Sequence, residues 1–382
     1  MASKLLRIFL CLILILTLLI PAGCGKNIGG EQSEPSEISQ SEPQKKQDDS
    51  PVKDLKIEKT PSALLKESLK EYSDPNGCFT ALVPEGWSVS CGGKDMYFWI
   101  RMYAPNDPCL QVFTLLKAEC LLKSQEAKDF YQQYRNFDLY KSSADAIVVT
   151  SVEDFYRQFM EYCGYTAQYG TLLGFFYDGF DYPQISNFET VESFPNTTPI
   201  AIEPVDNKIL HGTFTETLSQ EKGEGLFSGT LFNALQMGAE GIDVGYYGVY
   251  NVNGITAKYG MLNEYNDVLL QILNSVQYTD VFLETVARNQ QQSMDAARSL
   301  NSTLQATSDI ITSGWNQRQK TYDAISAKYS DATLGYETVY DVETGKVYKA
   351  YNGFTDIPDI DKYFKPATDD MYSLPISGYI EK

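Results

Sequence analysis

Phe79-Thr-Ala-Leu-Val-Pro-Glu-Gly-Trp87 carries the clearest structural signal in the chain. Phe79–Val83 is rich in apolar, strand-favouring residues, and Pro84-Glu85-Gly86 then breaks the run, which predicts a strand ending in a turn. Working outward, Tyr97–Tyr103 and Leu110–Leu116 alternate or run apolar and read as the next strands. Gln125–Tyr134 and Ser151–Tyr162 carry helical spacing, since Val152, Phe155, Phe159 and Tyr162 recur at steps of three and four. Further strands are expected at Tyr165–Tyr177, Ile200–Glu203, Lys208–Thr217, Gly225–Ala234 and Asp243–Tyr250. Asn251-Val-Asn-Gly254 has the residues of a hairpin turn, because Asn and Gly tolerate positive φ. Glu264–Leu273 is an amphipathic helix with Val268, Leu269 and Ile272 inward, and Ser275–Tyr278 is a short closing strand. Strands and helices mixed in this way make an α+β chain.

The two ends of that region, "FTALVPEGW" and "YNDVLLQILNSVQYT", are similar to the opening strand-turn and closing helix of PsbP/Mog1-like domains. The resemblance spans about Tyr72–Thr279, so the α+β domain is placed at 62–280. It implies an antiparallel sheet flanked by helices, serving binding or assembly and not catalysis. No functional residues carry over from it.

From Asp280 the texture changes. Val281–Tyr329 contains no proline and only Gly314 among glycines. Leu283, Ala287, Gln290, Met294, Ala297, Asn301, Leu304, Ser308, Ile311, Trp315, Arg318, Tyr322, Ile325 and Tyr329 recur at steps of four and three, a heptad-like stripe that predicts one or two long helices. Its four polar members argue against a self-pairing coiled coil and for a helix lying on its own domain, with a partner-binding helix as the alternative. Thr338–Asp341 and Val347–Tyr351 alternate around Gly345 and predict a C-terminal β-hairpin, completing a unit at 281–382. "GWNQRQKTYDAISAKYSDATLGYETVYDVETGKVYKAYNG" resembles a C-terminal unit of uncharacterised bacterial envelope proteins, which implies no mechanism.

At the other end, Lys4 and Arg7, the apolar run Ile8–Ile20 and Pro21-Ala22-Gly23-Cys24 have the parts of an export signal, with residues 1–23 removed. The run is shorter than the roughly 20 residues a bilayer core requires. Cysteine after Ala-Gly resembles a bacterial lipoprotein signal, which implies that the Cys24 thiol carries a diacylglyceryl group and holds the protein on the outer face of the membrane. Read without that resemblance, the same segment serves plain secretion and Cys24 is a bystander. Residues 24–61 follow as a tether: "EQSEPSEISQSEPQKKQDDS" has almost nothing apolar to offset chain entropy.

The chain of 382 residues carries 31 basic and 50 acidic side chains, a net charge of −19 that loss of Lys4 and Arg7 deepens. Such a surface repels phosphate backbones and anionic headgroups, so nucleic acid is not an expected partner. Of the remaining cysteines, Cys78 and Cys91 flank one predicted strand and are the best-placed pair for a disulfide; buried free thiols are the alternative. No Cys-x-x-Cys occurs, and the single histidine, His211, sits in a predicted strand, so zinc sites and a Ser-His-Asp hydrolase have no support. Neither Gly-x-G-x-x-Gly nor a P-loop is present, and no cofactor is expected. Asp356, Asp359 and Asp361 could gather around calcium, but their spacing is not that of an EF-hand and a solvated turn is the plainer reading.

The excess lies in aromatics, 27 Tyr and 19 Phe. Runs such as "GFFYDGFDYP" could present rings around Tyr177–Tyr182 to sugar or protein, or pack in the sheet. If the protein binds a macromolecule, Trp315, Arg318, Tyr322 and the hairpin tyrosines Tyr340 and Tyr348 are the expected partner surface, because Trp, Tyr and Arg dominate interface energy; the competing reading is that Trp315 and Tyr322 bury against the first domain. The reading that results is a lipid-anchored, non-enzymatic binding or assembly module contacting an envelope protein or glycan. Its rival is an envelope glycan hydrolase using a carboxylate pair from distant positions.

Overall fold

In a computed structural model of the chain, Phe79–Pro84 is a strand, and Pro84–Trp87 is a corner through which the chain passes from one sheet to another. The structure describes residues 55–173, 181–197, 203–289, 301–303, 306, 309–310, 328, 331, 335–374 and 376–382. Strand β1 is Ile57–Glu58, helix α1 Pro61–Glu67, β2 Leu69–Ser73, β3 Phe79–Pro84 and β4 Ser88–Gly92. After β5 (Trp99–Ala104) and β6 (Asp107–Leu122) come α2 (Gln125–Gln133), α3 (Asp138–Asp145), α4 (Val152–Arg157) and α5 (Phe159–Leu173). Strands β7 (Ile185–Pro195), β8 (Pro204–Glu216) and β9 (Lys222–Leu235) follow, then β10 (Gly238–Ala239), β11 (Ile242–Asp243) and β12 (Tyr246–Lys258). Helix α6 (Leu262–Asn274), β13 (Gln277–Tyr278) and α7 (Asp280–Asn289) lead to β14 (Tyr336–Asp341), β15 (Val347–Tyr351), β16 (Phe364–Pro366) and β17 (Ile376–Ile380). The chain is α+β: antiparallel sheets flanked by helices, with further strands at the C-terminal end.

Seven strands form the main sheet in the order β4-β5-β6-β12-β9-β8-β7, all neighbours antiparallel. Both of its faces are covered. One supports an aromatic core in which Tyr131, Phe155, Tyr156, Phe159 and Tyr162 of the helical layer meet Phe113, Phe227 and Phe214. The other packs Val112, Leu116 and Ile255 against α6, α7 and the small sheet β13-β3-β2. Two buried faces explain why Leu110–Leu116 does not alternate cleanly: apolar residues fall on both faces, and Gln111 and Thr114 are buried among them. Phenylalanine rings also lie over glycines directly across the strands: Phe113 on Gly254, Phe214 on Gly223 and Phe232 on Gly248. A side chain at those glycines would occupy the ring's place. The quoted ends of the first region meet in space, since Tyr278 and Gln277 of β13 pair with Phe79 and Thr80 of β3.

Three local expectations are corrected. Tyr165–Tyr177 is not a strand: its described part lies in α5, whose buried residues Phe159, Tyr162, Cys163, Thr166, Tyr169 and Gly170 continue the helical stripe begun at Val152. The helix expected over Ser151–Tyr162 breaks at Gln158, where α4 ends. Asn251–Gly254 is not a turn. Strand β12 runs through it, paired with β6 on one side and β9 on the other, and Asn251 at φ 51° is absorbed as a bulge between Tyr250 and Asn253.

The C-terminal hairpin is formed by β14 and β15, in register from Tyr336 opposite Tyr351 to Tyr340 opposite Val347. It belongs to a five-stranded sheet, β1-β17-β15-β14-β16, in which β15 and β17 are parallel. Val339, Ala350, Phe354, Ile360 and Phe364 form its own small core. Strand β1 comes from the stretch 24–61 expected to be a tether, so the folded body begins by Ile57, and residues 54–382 form one compact unit. The helical segment after residue 280 is represented by α7 and by helical residues 301–303 and 309–310. Asn301 there exchanges two hydrogen bonds with the Tyr278 backbone, donating at 3.1 Å and accepting at 2.9 Å. The signal, Cys24 and most of the stripe, with Trp315, Arg318 and Tyr322, lie outside the described residues, as does Tyr177.

Candidate functional site

Aromatic excess is largely spent on the core. Tyr156 donates to the carbonyls of Ser228 at 2.7 Å and Asn253 at 2.9 Å, and Tyr131 to that of Val244 at 2.7 Å. In "GYYGVYN", Tyr250 stacks on Phe232 with centroids 4.3 Å apart and Tyr246 on Tyr131 at 6.2 Å. Tyr348, expected on a partner surface, is 8% exposed with its ring edge-on to Phe364, so it packs in the small core; Tyr340 is half-buried.

The tyrosines that do gather at a surface are others. On the C-terminal sheet, Tyr336, Tyr351 and Tyr379 line an open cleft of about 580 Å³ with Glu58, Lys59, Pro61, Ile380, Glu381 and Lys382. Strand register builds it. Tyr336 and Tyr351 are opposite one another across the hairpin, Lys349 of β15 is opposite Tyr379 of β17, and Tyr379 is opposite Glu58 of β1, so these side chains share one face. The Tyr336 and Tyr379 rings stand 5.7 Å apart, tilted by 57°, and the Lys382 ammonium lies 5.9 Å from the Tyr351 centroid.

Beneath the cleft, Lys349 donates to Asp331 at 2.7 Å and the Thr338 hydroxyl donates to the other oxygen at 2.5 Å. Tyr379 reaches α6 by donating to Glu264 at 3.4 Å. Burial and the Glu264 charge push the Tyr379 phenol up to about 12, so it is a hydrogen-bond donor throughout the neutral range. Burial also raises the Glu264 carboxyl above the usual carboxylate range. At the rim the Lys56 ammonium bonds both Glu58 and Glu381, at 2.7 and 2.6 Å. That contact holds the Glu58 carboxyl below its ordinary value. A glycosidase acid has a raised carboxyl pKa, the opposite of the shift at Glu58. What the cleft offers chemically is therefore ring faces and paired charges of both signs, the Tyr379 hydroxyl being spent on Glu264.

Other candidates resolve differently. His211 lies in β8 with Nε2 3.7 Å from Glu224, whose other oxygen accepts the Gly260 and Leu262 amides at 2.8 and 3.0 Å, tying the start of α6 to the sheet. Asp359 pairs with Lys362 at 2.6 Å, and Asp356 and Asp361 are exposed. Asp107, Cys109 and Glu221 bring possible ligand atoms within 4.8 Å of one another, a grouping missed from sequence because Glu221 is distant in the chain. The Lys258 ammonium is already 3.0 Å from Glu221, and burial pushes the Cys109 thiol up to about 12. A second open cleft of about 390 Å³ lies along the Pro84–Trp87 corner, lined by Tyr72, Lys70, Glu85 and Trp87. Cys78 and Cys91, expected as a disulfide pair or as free thiols, are free here, and Asp74 accepts the Cys78 backbone amide and the Cys91 thiol.

Sequence reasoning missed the cleft because its residues come from positions 58, 336, 351 and 379, which only the sheet register unites. The available signal was that Tyr336 and Tyr351 bracket the predicted hairpin.

Neither a family model nor a curated protein matches the chain. Among solved structures it is similar to cyanobacterial PsbP (CyanoP) from Synechocystis sp. PCC 6803, at 10% identity and a TM-score of 0.20, over 56% of this chain and 93% of that one. A superposition at that score carries no argument about function. Among the described residues no helix is long and apolar enough to cross a membrane.

Proposed function

We propose that the protein is a membrane-anchored extracytoplasmic lipoprotein whose body is a non-enzymatic binding module, taking an envelope protein or glycan on the tyrosine cleft. One observation carries the binding reading: tyrosines from three strands converge on an open cleft edged by Lys59, Lys382, Glu58 and Glu381. Tilted phenol rings suit sugar faces and apolar side chains, and the mixed charges suit hydroxyls, amides and carboxylates. The anchoring reading rests on Pro21-Ala22-Gly23-Cys24 behind its short apolar run and on the polar tract that follows. Both meet at β1: the polar tract leads into Ile57–Glu58, and Glu58 is part of the cleft wall.

Cys24→Ser tests anchoring. The variant is expected in the medium or as uncut precursor, and fractionation and fatty-acid labelling identical to wild type would end that reading. Tyr336→Ala together with Tyr351→Ala tests the cleft in crosslinking pull-downs from native membranes and in sedimentation with purified cell-wall glycan. Loss of a captured protein or of co-sedimentation, with the melting temperature within a few degrees of wild type, is the expected result. Unchanged capture overturns the cleft. Release of reducing ends from the glycan by wild type, abolished in Glu58→Gln, would replace binding by hydrolysis.

A further inference from the structure

Cys78 and Cys91 reach one buried carboxylate from two different sheets. Cys78 immediately precedes β3 of the small sheet, and Cys91 lies on β4, the edge of the main sheet, opposite Ile100. Asp74, 4% exposed, sits between them: one carboxylate oxygen accepts the Cys78 amide at 3.0 Å and the other accepts the Cys91 thiol at 3.3 Å. The turn that presents Cys78 is tight, with the Gly77 amide on the Asp74 carbonyl at 2.8 Å and the Asp74 amide on the Phe79 carbonyl at 3.0 Å. Both cysteines pack against the same apolar cluster.

We propose that Cys78 and Cys91 are a disulfide pair, closed by exchange with a disulfide donor, and that the thiols flanking Asp74 are its reduced form. A thiolate of one cysteine attacks the donor's S–S bond, forming a mixed disulfide and releasing one donor thiolate. The second cysteine then attacks that mixed disulfide, joins the first, and releases the other donor sulfur. The protein loses two hydrogens and the donor is reduced to thiols. Burial holds the Cys78 thiol at about 11 and the Cys91 thiol at about 12, so few thiolates exist once the chain is folded. Closure therefore belongs to the folding chain, and the finished bond is slow to reopen. It staples the two sheets across the Pro84–Trp87 corner.

The test refolds the denatured full-length chain with a mixture of glutathione and glutathione disulfide, followed by alkylation. Glu85 separates the two cysteines and no Lys or Arg does, so cleavage after Glu71, Glu85 and Lys94 yields fragments 72–85 and 86–94. These fragments are expected as one linked species that separates on reduction, and the oxidised protein is expected to melt roughly 5 °C above the reduced one. Cys91→Ser should leave Cys78 carrying glutathione or alkyl group alone. Separately alkylated fragments from wild type, glutathione adducts only, or a link from Cys78 to Cys109, Cys120 or Cys163 would each overturn the pairing. The outcome is independent of the cleft and of the anchor, since neither takes part.

Discussion

Gly245 shows how little room single positions leave. A Cβ there would lie 2.1 Å from the Leu235 carbonyl oxygen, a backbone atom that cannot step aside alone. Gly245→Ala is expected to cost about 3 kcal/mol, read as a lowered denaturation midpoint with unchanged slope. Glu264 gives a pH dependence whose sign follows from its environment. Its folded pKa lies above the ordinary 4.5 because burial penalises the charge, so the folded state holds its proton longer than the unfolded state. Stability from this group is present below 4.5 and is lost as pH rises through the folded value. Glu264→Gln should flatten that fall, so the variant's melting temperature relative to wild type should rise between acid and neutral pH. A constant difference between the two curves would show that Glu264 is not the titrating group.

At the scale of elements, legibility followed periodicity. The strand at Phe79, the helix over Val268, Leu269 and Ile272, and the hairpin around Gly345 were readable because each buries one face against neighbours of ordinary kind. Tyr165 to Leu173 misled because Thr and Tyr favour strands locally, while the deciding contacts come from the aromatic layer beneath. Asn251 misled for a related reason. Asn-x-Asn-Gly signals positive φ correctly, but whether that makes a turn or a bulge depends on strands β6 and β9, which sequence does not place. Asn251→Val should therefore destabilise by about 1–2 kcal/mol, the cost of a β-branched side chain in the left-handed region, whereas Asn251→Gly should be near neutral. Equal melting temperatures for the two variants would mean the bulge relaxes. The candidate site was the least legible part. Strand alternation puts Tyr348 on the face opposite Tyr351 and Tyr336, but that its face is the buried one, packed on Phe364, while theirs lines the cleft, only the assembled sheet decides.

For the whole molecule, the five-stranded sheet makes the two ends of the described body neighbours. Ile57 pairs with Ile380 and the Glu381 amide bonds the Lys56 carbonyl at 3.2 Å. A protease selective for Lys and Glu should clip the polar tract up to Lys53 rapidly and leave 54–382 as a slowly digested fragment, followed by gel and mass spectrometry. Early cleavage between α7 and β14 without loss of either piece would show two independent bodies instead. Removal of residues up to Lys59 should unfasten one wall of the cleft and make Tyr379 more reactive to ring nitration, while the main sheet keeps its far-ultraviolet dichroism.

Strand β1 has a mechanical consequence. Any pull on the chain ahead of Leu55 enters the body through two residue pairs and the Lys56 ion-pair clamp, before it reaches α1 or the main sheet. So short a strand yields at far lower load than the long ladders of β6, β9 and β12, and when it peels it takes Glu58 out of the cleft wall. On the binding role proposed for the tyrosine cleft, a pull on the chain that peels β1 would weaken the hold on whatever the cleft takes.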